Sequence, residues 1–290
     1  MNFCLNNLIC IVCNTRMVAY TCVEKCGLSF YIMKCPHCGH MSILLPERYE
    51  PAYDEAYFLG DAPYHYIDER GERIIRDIED RRRIKNIKTF VETGRFLDVG
   101  AGLGNLVRIA QEEGFKALGI DASDYAAENG FKVWKADVET YESGKPFDII
   151  TMIETIEHFN DPRAALKNCH SLLFDNGLLV MQTANMASLS RKVEGKNCKY
   201  FLPGHFHYFS LKNLVFLLKQ SGFRIEHIYY GKEDGFIPAF VRKLLAQRSR
   251  SKRSDVSVFL KTLALHTLSK INWPFAINPT MTIYARKCSK

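Results

Sequence analysis

The chain has 290 residues, is 47% hydrophobic and carries a formal net charge of +7. That length holds one large domain and a small appendage, and that apolar content excludes a disordered chain. No apolar run is long enough to span a bilayer. The start, MNFCLNNLICIVC, has neither a basic n-region nor a small-residue cleavage site, so a cytoplasmic protein is expected.

Most of the cysteines crowd into the N-terminal segment: Cys4, Cys10, Cys13, Cys22, Cys26, Cys35 and Cys38. A secreted disulfide framework would want a signal peptide and a small stapled fold. The pairs Cys10/Cys13 and Cys35/Cys38 are C-x-x-C turns, and Gly39 after the second pair permits the tight backbone turn such a pair needs. Four thiolates around a tetrahedral centre suit a structural Zn²⁺, which would fold a segment too short to build its own core. Cys22 and Cys26 form a competing C-x-x-x-C, and His37 or His40 could replace a thiolate, so spacing alone leaves the ligand set open.

A linker follows with Tyr49, Tyr53, Tyr57, Tyr64 and Tyr66 among acids and prolines. Residues 68–90 then read as a helix, with Ile74, Ile75, Ile78, Ile84 and Ile87 on one side and charges elsewhere.

FLDVGAGLGNLVRIA (96–110) is a short apolar strand, a glycine-rich turn and the start of an amphipathic helix. The glycines are Gly100, Gly102 and Gly104, and Asn105 stands where a dinucleotide fingerprint wants its last glycine. Asp98 sits two residues before the first glycine, where its charge would repel a pyrophosphate. A ligand with an amino group and no phosphate would welcome it, and S-adenosylmethionine is such a ligand. The next strand ends at Asp121, placed to accept both ribose hydroxyls, with Ala122 beside it. Strands at 96–99, 117–120, 132–136, 148–152 and 178–183 alternate with helices at 105–113, 125–129 and 162–173. Alternation of this kind gives a parallel sheet with helices on both faces, and a ligand at the C-terminal ends of its strands. Asp137 follows the third strand and is placed to address the adenine amino group, with Val138 beside the ring; a simple helix cap is the alternative for Asp137. Met152 and Glu154 reach the same edge after the fourth strand.

Methyl transfer is an in-line displacement that alignment alone accelerates. A hydroxyl acceptor also needs a base, for which histidine is suited near neutral pH. His158 follows the fourth strand, near the expected methionine tail, and Glu157 could orient it. His205 lies in PGHFHYFS, after the fifth strand. Methylation at carbon is the alternative chemistry, with His205 and a linker tyrosine holding an enolate. His207 reads more as a structural residue.

Residues 224–230 and 280–287 read as an antiparallel pair that closes the sheet. Between them, Arg242, Lys243, Arg248, Arg250, Lys252 and Arg253 precede an apolar stretch at 258–275. Such a segment can lie on an anionic membrane surface, or be a solvated loop and a helix packed on the sheet.

From about Cys10 to Phe223 the chain resembles a class I S-adenosylmethionine-dependent methyltransferase, more narrowly the bacterial branch with an N-terminal zinc-ribbon-like segment. LDVGAGLG resembles the cofactor loop and GIDAS the ribose-binding strand end. FDIITMIETIEHFNDP resembles the fourth strand and its E-H-x-x-D-P turn, LLVMQTAN the fifth strand, and PGHFHYFSLKNLVFLLKQSGF the segment opening the next helix. Ala184 and Gly204 depart from the family's usual proline and glutamate, and the second bears on a charge near the substrate pocket.

The resemblance implies an α/β fold: a Rossmann-like seven-stranded sheet, mostly parallel with the last strand antiparallel, and a small zinc-ribbon-like segment. It places the ribbon at 1–45, a linker and cap helix at 46–94, and the methyltransferase domain at 95–290 with an insertion at about 235–278. It favours Cys10, Cys13, Cys35 and Cys38 as the zinc ligands. It also implies that the helix helps cover the cofactor and the tyrosine linker the substrate, unless those tyrosines pack the ribbon onto the main domain. Small-molecule, sugar or lipid-linked acceptors fit, the last with peripheral contact at the inner membrane face through 241–275. A non-catalytic nucleic-acid-binding module is the alternative of another class, disfavoured because the basic residues are not interleaved with aromatics.

Overall fold

The computed structural model describes residues 8–45, 51–62, 68–69, 71–198, 200–230 and 280–289. The expected basic and apolar insertion, and Tyr49, Tyr64 and Tyr66 of the linker, lie outside the described residues.

β1 (Val18–Lys25) and β2 (Leu28–Lys34) form an antiparallel hairpin, and β3 (Met41–Leu44) joins β2 after the Cys35–His40 turn. Asp54 caps the single turn α1 (Glu55–Phe58) by accepting from the Tyr57 N–H. The helix expected at 68–90 is α2 (Arg73–Lys88). Its buried side is not the continuous isoleucine stripe that the sequence suggests. Ile75, Ile84 and Ile87 are buried, but Ile74 is 69% and Ile78 43% exposed. The inward stripe of the middle turns is instead taken by the ion pair Asp80–Arg83. Arg83 reaches past it to the Gln182 side-chain oxygen, 3.0 Å away.

The main sheet then builds as expected. β4 (Arg95–Val99), α3 (Asn105–Glu112), β5 (Lys116–Asp121), α4 (Asp124–Asn129), β6 (Val133–Lys135), β7 (Phe147–Ile153), α5 (Pro162–Leu172) and β8 (Leu173–Ala184) alternate along the chain. After them come α6 (Leu189–Glu194), β9 (His207–Tyr208), α7 (Leu211–Gln220), β10 (Phe223–Tyr230) and β11 (Thr280–Lys287). The strand order is β10-β11-β8-β7-β4-β5-β6. β4 to β8 run parallel to one another, and β11 runs antiparallel to both β8 and β10. From β4 the chain moves outward through β5 and β6, then returns to β4's other side as β7. That reversal opens a crevice between the C-terminal ends of β4 and β7, beside the end of β5.

Two apolar cores flank this sheet, one including Ile84, Val107, Ile109 and Phe115, the other Leu166, Leu172, Leu217 and Phe223. The second core runs on without a break into the N-terminal segment, through Cys10, Val12, Met17, Met33 and Cys35. β9 also crosses over: it pairs with β3 and completes a four-stranded sheet of order β1-β2-β3-β9. Residues 8–45 are therefore joined to the rest by a shared core and a shared sheet. Among the described residues, no helix is long and apolar enough to cross a membrane.

Candidate active site and metal centre

Backbone hydrogen bonds hold the glycine loop. Gly100 and Ala101 both donate their N–H to the Ile120 carbonyl, at 2.9 and 3.1 Å. Gly104 begins α3 in the left-handed region, with φ of 76°, and a Cβ there would lie 2.5 Å from the Phe131 carbonyl oxygen. A Cβ on Gly102 would come within 3.0 Å of the Glu69 carboxylate. Glu69 accepts from the Leu103 N–H at 3.2 Å and pairs with Arg76 at 3.5 Å. The bareness of Gly102 thus makes room for a protein carboxylate.

Asp121 ends β5 with both oxygens oriented: Oδ2 accepts from the Gly102 N–H and Oδ1 from the Ser123 N–H, each at 2.9 Å. Each oxygen retains a second acceptor position for a hydroxyl. Burial raises its pKa. Asp98 lies deeper, buried between β4 and β7, where it accepts from the Thr151 hydroxyl at 2.6 Å. Burial pushes its carboxyl up to about 7.

A cavity of about 430 Å³ occupies the crevice, within the range of small-molecule and cofactor sites. One end brings together Gly100, Asp121, Ala122, Asp137 and Val138, with Ile120 and Ala136 as apolar walls. Asp137 Oδ1 accepts from the Glu139 N–H at 2.8 Å, a local turn that leaves its other oxygen for an amine. The other end is lined by Pro51, Tyr53, His158, Phe159, Asn160 and Phe206. Gly102, Gly104, Asp98, Met152, Glu154, Glu157 and His205 are not among its lining residues. Met152 is fully buried in the core. Glu154 sits at a φ of 53°, with its carboxylate accepting from Gln182 Nε2 at 2.9 Å.

His158 is the histidine among the lining residues of the second end. Its Nδ1 lies 3.1 Å from the Tyr53 hydroxyl. His205 stands behind it, edge-on at 4.8 Å between ring centroids, with its own Nδ1 3.1 Å from the Tyr200 carbonyl. Glu157 accepts from the Thr183 hydroxyl at 2.9 Å, and its other oxygen is buried without a partner among the described residues. Burial, then the neighbouring Glu154 charge, hold Glu157 well above the usual carboxylate range. Ligand atoms of Glu157, His158 and His205 lie within 4.8 Å of one another.

Asn160, Phe206 and Glu69 were not singled out by sequence reasoning as site residues, and Tyr53 and Tyr57 only as members of the tyrosine linker. Tyr53 and Pro51 form part of the cavity wall, which is the covering role weighed for the tyrosine linker. Burial raises the Tyr57 hydroxyl well above its ordinary value, and the charges of Glu69, Asp121 and Glu157 add to that. The acids near that ring suit a ligand with positive sulfonium and ammonium groups, so the residues present fit S-adenosylmethionine.

The sulfurs of Cys10, Cys13, Cys35 and Cys38 converge. Cys10 lies 3.5 Å from Cys38, Cys13 lies 3.4 Å from Cys35, and all four are within 4.8 Å of one another. Tetrahedral Zn–S bonds of about 2.3 Å require sulfur separations of roughly 3.8 Å, so the quartet fits a zinc ion. Burial pushes the Cys10 thiol up to about 11 and raises Cys38 further, whereas at Cys13 hydrogen bonds with Thr15 outweigh burial and bring the thiol down to about 5. A bound cation would hold Cys10 and Cys38 as thiolates as well. Cys22 is exposed on β1 and Cys26 sits in the following turn, apart from the quartet.

Comparison with known proteins agrees with this geometry. The model of a family described as "Methyltransferase domain" matches residues 67–228. A "Ubiquinone biosynthesis O-methyltransferase" from Caulobacter sp. (strain K31) is 32% identical over 138 residues, 43% of this chain and 55% of that protein. Its namesake from Bradyrhizobium diazoefficiens is 30% identical over 136 residues, 43% of this chain and 54% of that protein. The chain spans about half the length of the curated relatives it matches. A SAM-dependent methyltransferase structure from Archaeoglobus fulgidus superposes with a TM-score of 0.55 at 23% identity, covering 81% of this chain and 100% of that one, which shows the fold.

Proposed function

This chain belongs to the methyltransferase-domain family, and from that premise we propose that it transfers a methyl group from S-adenosylmethionine to a hydroxyl of a small-molecule acceptor. The observation that carries this is the make-up of the crevice cavity: Asp121 and the glycine loop at one end, His158 and Tyr53 at the other. The names of the relatives, which methylate oxygen, support the choice of acceptor atom.

S-adenosylmethionine supplies a methyl carbon already activated by its sulfonium. Asp121 binds the ribose hydroxyls, and Asp137 with Val138 binds the adenine. The acids near Tyr57 favour the positive end. His158 takes the acceptor's proton at Nε2 as the new bond forms. For that, its Nδ1–H must donate to the Tyr53 hydroxyl oxygen, which the 3.1 Å separation allows. Pro51, Tyr53 and Phe206 exclude water over the reacting atoms. Zn²⁺ in the Cys10, Cys13, Cys35 and Cys38 quartet is structural, with no open position for substrate.

The test is calorimetry with S-adenosylhomocysteine, then incubation with cell extract and methyl-labelled cofactor, with mass spectrometry of the products. Binding and a new O-methyl product are expected. A folded protein that does not bind S-adenosylhomocysteine sinks the reading.

The reading extends to a lipid-linked acceptor reached at the inner membrane face through 241–275. It is supported by the sheet: β10 ends at Tyr230 and β11 starts at Thr280 opposite Ala184, at the edge where the cavity opens. Co-sedimentation with anionic vesicles that falls with salt is expected. No sedimentation at low salt removes this extension.

A further inference from the structure

Residue 206 is tied on two sides. Ile43 of the ribbon donates its N–H to the Phe206 carbonyl at 3.1 Å, and the Phe206 N–H donates to the Glu157 carbonyl at 2.8 Å. His207, next in β9, extends this link through its side chain. Its ring is stacked on His40, with centroids 5.5 Å apart. Its Nδ1 lies 3.2 Å from Ser42 Oγ and 3.3 Å from His40 Nε2, and its Nε2 lies 3.4 Å from the Asn160 carbonyl.

The protons can be placed from these partners. A carbonyl oxygen only accepts, so Nε2 of His207 carries a hydrogen. Burial keeps the ring neutral, so Nδ1 is an acceptor. The Ser42 hydroxyl, 3.2 Å from each ring, donates to His207 Nδ1 and accepts from His40 Nε2–H. That leaves a bare lone pair at His40 Nδ1, the one buried atom here without a partner among the described residues. The opposite tautomer would strand an N–H there. The hydrogen bonds therefore run one way, from His40 through Ser42 and His207 to Asn160. His40 is itself held by the cysteine turn, since the Cys35 N–H donates to its carbonyl at 2.8 Å. Asn160 lines the cavity two residues after His158.

We propose that His207 is a positioning residue through which the ribbon fixes the 158–160 wall of the acceptor end. The ribbon is then a working part of the methyl-acceptor site rather than a separate binding module. This rests on reading the His158 end of the cavity as the acceptor end. His207 touches no reacting atom; it acts on His158 by holding the carbonyl of Asn160.

The test uses the full chain with ¹⁵N-labelled histidine. His207→Phe keeps a ring of similar size against His40 and Phe209 but removes both nitrogens. Ser42→Ala removes the middle hydroxyl alone. In each variant, amide exchange over 156–161 is expected to quicken by about fivefold to tenfold, the effect of one lost hydrogen bond. The ring-nitrogen resonances of His158 should shift. Zinc content should stay the same, and S-adenosylhomocysteine affinity should stay within about twofold of the parent, since no ligand contact is removed. Folded variants with parental exchange and a parental His158 spectrum overturn the proposal. So does a loss of S-adenosylhomocysteine affinity as large as the change in exchange, because the whole cavity would then have moved. If His207→Phe does not fold, Ser42→Ala decides in the same terms. A parent chain that fails to bind S-adenosylhomocysteine removes the methyl-transfer reading, while exchange and spectra still decide the role of His207.

Discussion

The two ends of the cavity are built on different principles. The cofactor end comes from successive strand termini: Gly100 after β4, Asp121 at the end of β5, Asp137 and Val138 just past β6. Backbone amides of the same loops hold its carboxylates, as Gly102 and Ser123 hold Asp121. The acceptor end gathers Tyr53, His158, Asn160 and Phe206 from three separate segments, and a fourth, the ribbon, props them. A site made of adjacent turns is stiff and general to the fold. One made of distant segments can change acceptor by changing any of them.

Metal removal should divide the two ends most sharply. About one Zn²⁺ per chain is expected by metal analysis. Structural zinc contributes roughly 10–16 kcal/mol to folding small metal sites, so Cys35→Ser or Cys38→Ser should release it and expose the β1–β3 amides to exchange. β9 should lose protection with them, because Ser42 and Met41 are its strand partners. The strands β4 and β5 should keep theirs. Protein purified metal-free without chelator, with β1–β3 still protected, would count against the zinc centre.

A smaller effect separates the ends by kinetics. His158→Ala should lower turnover by about 10²–10⁴-fold, as for a lost general base, and leave S-adenosylhomocysteine affinity almost unchanged. Asp121→Ala should do the reverse, weakening that affinity by about 1–3 kcal/mol. Equal changes of affinity in both variants would mean that the two ends are one site.

The least effect concerns Asp98, beneath the cofactor end. Its carboxyl is held up to about 7 by burial, well above the ordinary carboxylate range. The stability this neutral carboxyl contributes is fully present below about 4 and is lost as pH rises through about 7. Over that window the native state holds the extra proton, so stability should fall with pH by at most about 1.4 kcal/mol per unit. Asp98→Asn should flatten that slope in denaturant melts taken between pH 4 and 7. An identical slope in both proteins would show that Asp98 ionises freely in the fold.

The parallel strands, the glycine turn and the two C-x-x-C pairs were legible because each is a local pattern: a period, a turn that only glycine fits, a pair of thiols three positions apart. The order of protons at Asp98 was not legible, since only burial between β4 and β7 moves it away from the cavity and raises its pKa. The isoleucines of α2 misled for a related reason. Helical periodicity marks an apolar stripe, but Asp80 and Arg83 could take the inward positions once Gln182 and Asn105 supplied partners for them.

By itself the sequence determined the family, the sheet and the glycine loop, because those rest on spacing along the chain; spacing left the choice among the N-terminal cysteines open, and the fold brings Cys10, Cys13, Cys35 and Cys38 together. Tertiary structure alone decided that His158 rather than His205 faces the cavity, that Tyr53 holds its ring, and that β9 leaves the main domain to finish the ribbon's sheet. Those choices depend on which distant backbone edges and side chains meet. A β-strand of two residues has no periodicity to read, and a histidine's partner 105 residues away leaves no mark in its own neighbourhood.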